Sequence, residues 1–153
     1  MGEPMSYVNR VAALVSGILL AGCGGGSLFE SAAVAEATAA LDSAKTAVAR
    51  AYASNNNIFP VTQNAPLATG RPDNARFVKS ITYNSATATV ASVVLAVTGT
   101  DNPNLDGKFF GIFGFGQIDG TVTWVCGTAA AATSTAPSAM QAMYSYLPAP
   151  CQH

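Results

Sequence analysis

The sequence predicts an α+β domain, with one long N-terminal helix packed on an antiparallel sheet of about four strands. Two patterns carry this prediction. Apolar residues recur at steps of three and four from Phe29 to Ala51, and strand-type segments then follow one another from residue 76 to residue 126. Asp119-Gly120 adds a strong hairpin signal near the end of that series.

The helix begins locally. Ser27-Leu28-Phe29-Glu30 has capping-box spacing, with Ser27 as N-cap and Glu30 at N3. Phe29, Ala33, Ala37, Leu41, Ala44, Val48 and Ala51 form a narrow apolar stripe whose small side chains allow a sheet to approach closely. Acids come early (Glu30, Glu36, Asp42) and bases late (Lys45, Arg50), the order that complements the helix dipole. Asn55-Asn56-Asn57 tolerates left-handed backbone, and Pro60 forbids continuation.

Residues 61–75 hold Pro66, Gly70 and Pro72 without a sustained period, which predicts a loop. Strands are expected over 76–83 and 86–98, separated by Asn84-Ser85, and over 108–117 and 121–126 around Asp119-Gly120. Val122, Trp124 and Cys126 then share one strand face, which sets the thiol beside the indole ring in the expected core. The run from Phe109 to Gly116 carries aromatics on both faces. It reads either as a central strand with glycines allowing close packing, or as an exposed aromatic patch for a partner or glycan.

A chain of 153 residues fits one domain. Half its residues are apolar, 10% are charged, and the formal net charge is −1. No nucleic-acid partner is expected, because the scattered basic residues cannot neutralise a phosphate backbone. No nucleophile–base–acid set is visible, and the single histidine, His153, is the last residue and is expected to be frayed. Neither a metal-ligand spacing nor a phosphate-binding glycine motif occurs. The expectation is therefore a non-enzymatic protein with no cofactor and no metal.

Residues 11–22 form an uncharged apolar run after Arg10. As a helix it would span about 18 Å, short of a bilayer core, which suits a signal-peptide core better than a membrane span. Leu20-Ala21-Gly22-Cys23 at its end resembles the lipobox of bacterial lipoproteins. That resemblance implies cleavage before Cys23, lipidation of its thiol, and a membrane partner engaged through the lipid. The other reading is an uncleaved hydrophobic helix with a buried cysteine. Starting at Met5 instead of Met1 would remove Glu3 and give a more ordinary signal peptide. Gly24-Gly25-Gly26 cannot favour a helix and reads as a tether. No Asp follows Cys23, which in such lipoproteins goes with outer-membrane sorting. The expected division is 1–22 signal peptide, 23–26 lipid-anchored tether and 27–153 folded domain.

Trp124-Val125-Cys126, a small-residue loop, and Tyr146-Leu147-Pro148-Ala149-Pro150-Cys151 resemble the C-terminal disulfide region of type IV pilins. The order of helix, variable loop and sheet is similar as well, as is the helix end from Lys45 to Pro60. The resemblance implies a Cys126–Cys151 disulfide closing the C-terminal loop, so that the odd cysteine, Cys23, is the lipid anchor. It also implies a recognition loop, with Thr128, Thr133, Ser134, Thr135 and Ser138 as candidates, and pilus subunits or a cell-surface receptor as partners. Pilins begin their helix with Phe-Thr-Leu-Ile-Glu and a long apolar stretch that packs in the filament core. This sequence lacks that stretch. Three readings follow: an envelope lipoprotein acting in adhesion, pilus-related assembly or surface recognition; a polymerising pilus or secretion-system subunit with an atypical first helix; and a pilin-mimicking decoy that interferes with pili or phage adsorption.

Overall fold

The computed structural model describes residues 28–153. The expected signal peptide, Cys23, the glycine stretch and the Ser27 cap lie outside those residues. A helix, α1 (Leu28–Ser54), precedes four strands, β1 (Val78–Thr87), β2 (Val90–Val97), β3 (Phe109–Gly116) and β4 (Val122–Ala129). The strands pair antiparallel in the order β1-β2-β3-β4. This is the predicted α+β architecture.

α1 buries Ala33, Ala37, Leu41, Ala44, Val48 and Tyr52. The stripe therefore ends on Tyr52, four residues after Val48, and not on Ala51 as the pattern suggested. Phe29, at its other end, is half exposed, with the Arg76 guanidinium 5.2 Å from its ring centre. The Tyr52 ring packs against Phe59 at a tilt of 41°, with centroids 4.5 Å apart, and its hydroxyl donates to the Gln117 carbonyl (3.1 Å). Asn56 and Asn57 take the left-handed conformation expected of them, and the Asn57 N–H bonds to the Tyr52 carbonyl (3.1 Å) to close the helix.

The sheet turns one face to α1. Tyr83, Ala91, Val93, Leu95, Phe110 and Ile112 supply bulk opposite the small helix residues. Alternate residues Val94, Phe113 and Ala129 make a second, smaller apolar cluster on the far face. That is why every residue of β2 after Val90 is buried. β3 is a central strand, as the first reading of its aromatic run had it, and only Phe115 projects to solvent. Its glycines make room: a methyl at Gly114 would meet the Trp124 ring (2.8 Å), and one at Gly116 would collide with the Tyr52 ring.

Two turns differ from expectation. β1 runs through Asn84-Ser85, and the chain reverses at Ala88-Thr89 instead. Asn84 is buried, and its amide donates to the Ala132 carbonyl (2.9 Å), so a turn-type residue serves as an internal polar partner. The Thr87 hydroxyl accepts the Thr89 N–H (3.2 Å) and builds the turn locally. The β3–β4 connection is longer than a two-residue turn. Gly120 N–H bonds to the Gln117 carbonyl (3.1 Å) and Gln117 N–H to the Thr121 carbonyl (2.8 Å), with Gly120 at φ +87. This is a three-residue hairpin loop closed by a left-handed glycine.

Loops are tied to the core by polar contacts. The Glu36 carboxylate accepts the N–H groups of Arg76 (3.2 Å), Phe77 (3.0 Å) and Val78 (2.9 Å), which anchors the start of β1 to α1. Gly70 and Ile81 exchange backbone bonds (2.7 and 2.8 Å), so the loop after α1 covers part of the β1 edge. Tyr83 donates to the Pro60 carbonyl (2.7 Å).

Gly116→Ala should destabilise the domain by about 1–3 kcal/mol, because Tyr52 must leave its position over β3. Urea denaturation of the oxidised protein measures this, and an unchanged midpoint would refute the packing. Burial pushes the Tyr83 hydroxyl up from 10.0 to about 12. Its folded-state value lies above the unfolded one, so this contribution is complete below pH 10 and is lost as pH rises toward 12. Stability should fall over that window, and the fall should be shallower in Tyr83→Phe, as a denaturation series against pH would show.

Candidate functional site

The C-terminal segment is built around β4. Cys126 and Cys151 form a disulfide with Cα atoms 4.6 Å apart. Closing a loop of this length contributes roughly 3.5 kcal/mol in the chain-entropy picture. The segment contacts both sides of the sheet. On the far face, the Ser92 hydroxyl donates to the Ser134 carbonyl (2.7 Å), close to the Asn84–Ala132 bond. On the helix face, Met143 of the 3-10 turn Gln141–Tyr146, Leu147 just after it, and Cys151 of the turn Ala149–Cys151 enter the main core. The segment thus wraps the β4 edge.

Thr128 is the hinge of that wrap. It is fully buried; its hydroxyl donates to the Ser138 carbonyl and accepts the Met140 N–H (3.1 Å). Its carbonyl accepts the Ser138 N–H (2.8 Å), and its N–H donates to the His153 carbonyl (3.3 Å). The frayed end expected at His153 is corrected here, because β4 holds its backbone.

The five candidate recognition residues separate accordingly. Thr133 is exposed, and Ser134 and Thr135 are half-buried at the crest of the loop. Thr128 is inaccessible, and the Ser138 hydroxyl is buried without a hydrogen-bond partner. Presentation of Thr128 and Ser138 to a receptor is therefore corrected to an internal role: a Thr at the end of β4 satisfies loop carbonyls that would otherwise be buried unpaired. Cys23, the expected lipidation site, lies outside the described residues.

Trp124 and Cys126 do share the helix-side face of β4, and beside them opens a cleft of about 170 Å³ bordered by Thr38, Asp42 and Lys45 of α1. Among the described residues no group of three or more His, Cys, Asp or Glu is placed to hold a metal. No helix among them is long and apolar enough to cross a membrane.

The family model Pilin (bacterial filament) matches residues 32–152, from the first turns of α1 through the disulfide. The chain belongs to the pilin family. No curated protein matches it at a significant level. Pilin membership agrees with the helix-on-sheet fold and with the disulfide, and it points to the cell envelope or an extracellular pilus as the location.

Sequence reasoning missed the surface at the C-terminal end of α1, where Ile58 (46% exposed), Val61 (55%) and Ile118 (100%) project. The available signal was an isoleucine in the loop of a hairpin, a position where polar residues are the rule.

Cys126→Ser or Cys151→Ser should each cost about 2–4 kcal/mol, the usual range for native bridges. Because Cys151 sits in the core on the helix side, the substitution should also free residues 141–153, which hydrogen exchange would register. Unchanged protection there would contradict the pinning role.

Proposed function

We propose that this pilin-family protein is a non-enzymatic surface protein of the bacterial envelope, a pilin head held at the outer membrane by a lipid on Cys23. It acts by protein contact, in adhesion, pilus-related assembly or surface recognition. The observation that carries this reading is that α1 spends its apolar stripe on its own sheet. Ala33, Ala37, Leu41, Ala44, Val48 and Tyr52 are buried within the domain, so the head folds against itself and leaves its loops and hairpin tips as the working surface. Thr133, Ser134 and Thr135 are the accessible part of the recognition loop.

The second reading, a polymerising subunit of a pilus or secretion system, is favoured by the family match to a bacterial filament protein. The two readings differ at the N-terminus. A lipidated Cys23 supplies several acyl chains at once, which is what stable attachment requires. Cys23→Ser should then block processing, and the retained segment 1–22 should appear in the intact mass without lipid. Native protein that keeps residues 1–22 and carries no lipid would reject the anchor and leave the filament subunit.

A further inference from the structure

Two surface features complement each other. The β3–β4 hairpin tip carries Ile118, whose side chain is fully exposed. The tip is fixed, since the Asn57 amide donates to the Ile118 carbonyl (3.0 Å) and Gly120 packs on the same asparagine. Next to it, Asp119 accepts the Thr121 hydroxyl (2.7 Å) and N–H (3.0 Å). These bonds lower the Asp119 pKa from its ordinary value, so the carboxylate is charged at neutral pH.

The second feature is a groove of about 390 Å³ between α1 and the loop after it. Ala40, Ala44, Ala47, Leu67 and Ile81 give it apolar walls, and Arg71 stands at its rim. One arm of the Arg71 guanidinium donates to the Ala75 carbonyl (2.7 Å), which holds the cation there.

We propose that the hairpin tip of one copy docks into this groove of a second copy, Ile118 entering between α1 and the 67–72 loop and Asp119 facing Arg71. The groove is large enough for an isoleucine side chain. In a chain with so few charges, an anion beside the knob and a cation beside the hole fix the orientation of docking. Within one copy the tip cannot reach the groove: its bond to Asn57 keeps it just past the C-terminal end of α1, and the nearest groove residue, Ala47, lies seven residues, about 10 Å, before that end. Knob and hole are different surfaces, so the contact is heterologous, the kind that also lets copies add in series. The inference rests on the assembly part of the proposed function and is independent of the lipid anchor.

The test uses the full chain expressed in a bacterial envelope, with p-benzoylphenylalanine replacing Thr69, an exposed groove residue. Irradiation should give an adduct of twice the monomer mass, with the crosslink mapping to residues 117–119 of the second copy. Ile118→Ser should reduce its yield at least tenfold; Ile118 is fully exposed, so its replacement leaves the fold intact. Arg71→Glu should reduce it several-fold, and so should Asp119→Asn, which keeps an oxygen acceptor for the hairpin turn. No dimer adduct, a dimer adduct that survives Ile118→Ser, or adducts with other proteins only would overturn the proposal. Fractionating the same cells separates the two levels. If the chain is found with envelope or filaments but gives no adduct, only this contact fails; if it is found with neither, the proposed function fails too.

Discussion

The contact on which the rest of the domain depends is the close approach of α1 to the centre of the sheet. Ala33, Ala37 and Ala44 present little more than methyl groups, so the volume between the layers is filled from the sheet side by Val93, Leu95, Phe110 and Ile112. Close packing makes such an interface intolerant of added atoms. It also dictates the glycines opposite. Tyr52 ends the stripe with a large ring, and β3 answers with Gly116, where any side chain would collide. Small helix and bulky sheet, then bulky helix end and bare sheet, are two halves of one volume constraint.

That constraint leaves β4 only partly covered by the helix, and the C-terminal segment supplies the missing layer. The disulfide joins the helix-side face of β4 to the segment's last turn, while Thr128, Asn84 and Ser92 collect loop carbonyls on the way. Burying an unpaired carbonyl costs about 1–3 kcal/mol, so each of these side chains decides where the loop runs. Glu36 does the same for the start of β1 with three backbone N–H groups. Polar residues inside this protein direct the chain's path more than they add stability.

Much of this was legible in the sequence. The 3.6-residue period of α1, the left-handed asparagines after it, the existence of four strands and the shared face of Val122, Trp124 and Cys126 follow from local rules. What escaped were places where tertiary partners overrode local preference. Asn84-Ser85 has the composition of a turn, yet a loop carbonyl more than forty residues away holds Asn84 inside β1. Thr128 and Ser138 have the composition of an exposed loop, yet the wrap around β4 buries Thr128 and the Ser138 hydroxyl. At the crest of the same loop the exposure of Thr133 and the half-burial of Ser134 and Thr135 are what loop composition suggests. The groove beneath the 67–72 loop had no sequence signature, because it arises only where alanines of α1 meet a loop that is distant from them in sequence.

Pilin heads of this kind carry a physical problem at the two ends of the helix. At one end Leu28 is 89% exposed and Phe29 half exposed, just where the chain joins the residues before it. At the other end Ile58, Val61 and Ile118 face solvent. Burying a large aliphatic side chain fully is worth about 1.5–3 kcal/mol, so both ends hold free energy that folding has not used. Association is therefore favoured at the ends of α1 and in the apolar groove along its side. A protein with 10% charged residues cannot rely on long-range attraction to find a partner. Its selectivity must come from the fit of a few apolar knobs, oriented by single charges, and this places the burden of recognition on the rigidity of the hairpin tip and of the loop that forms the groove.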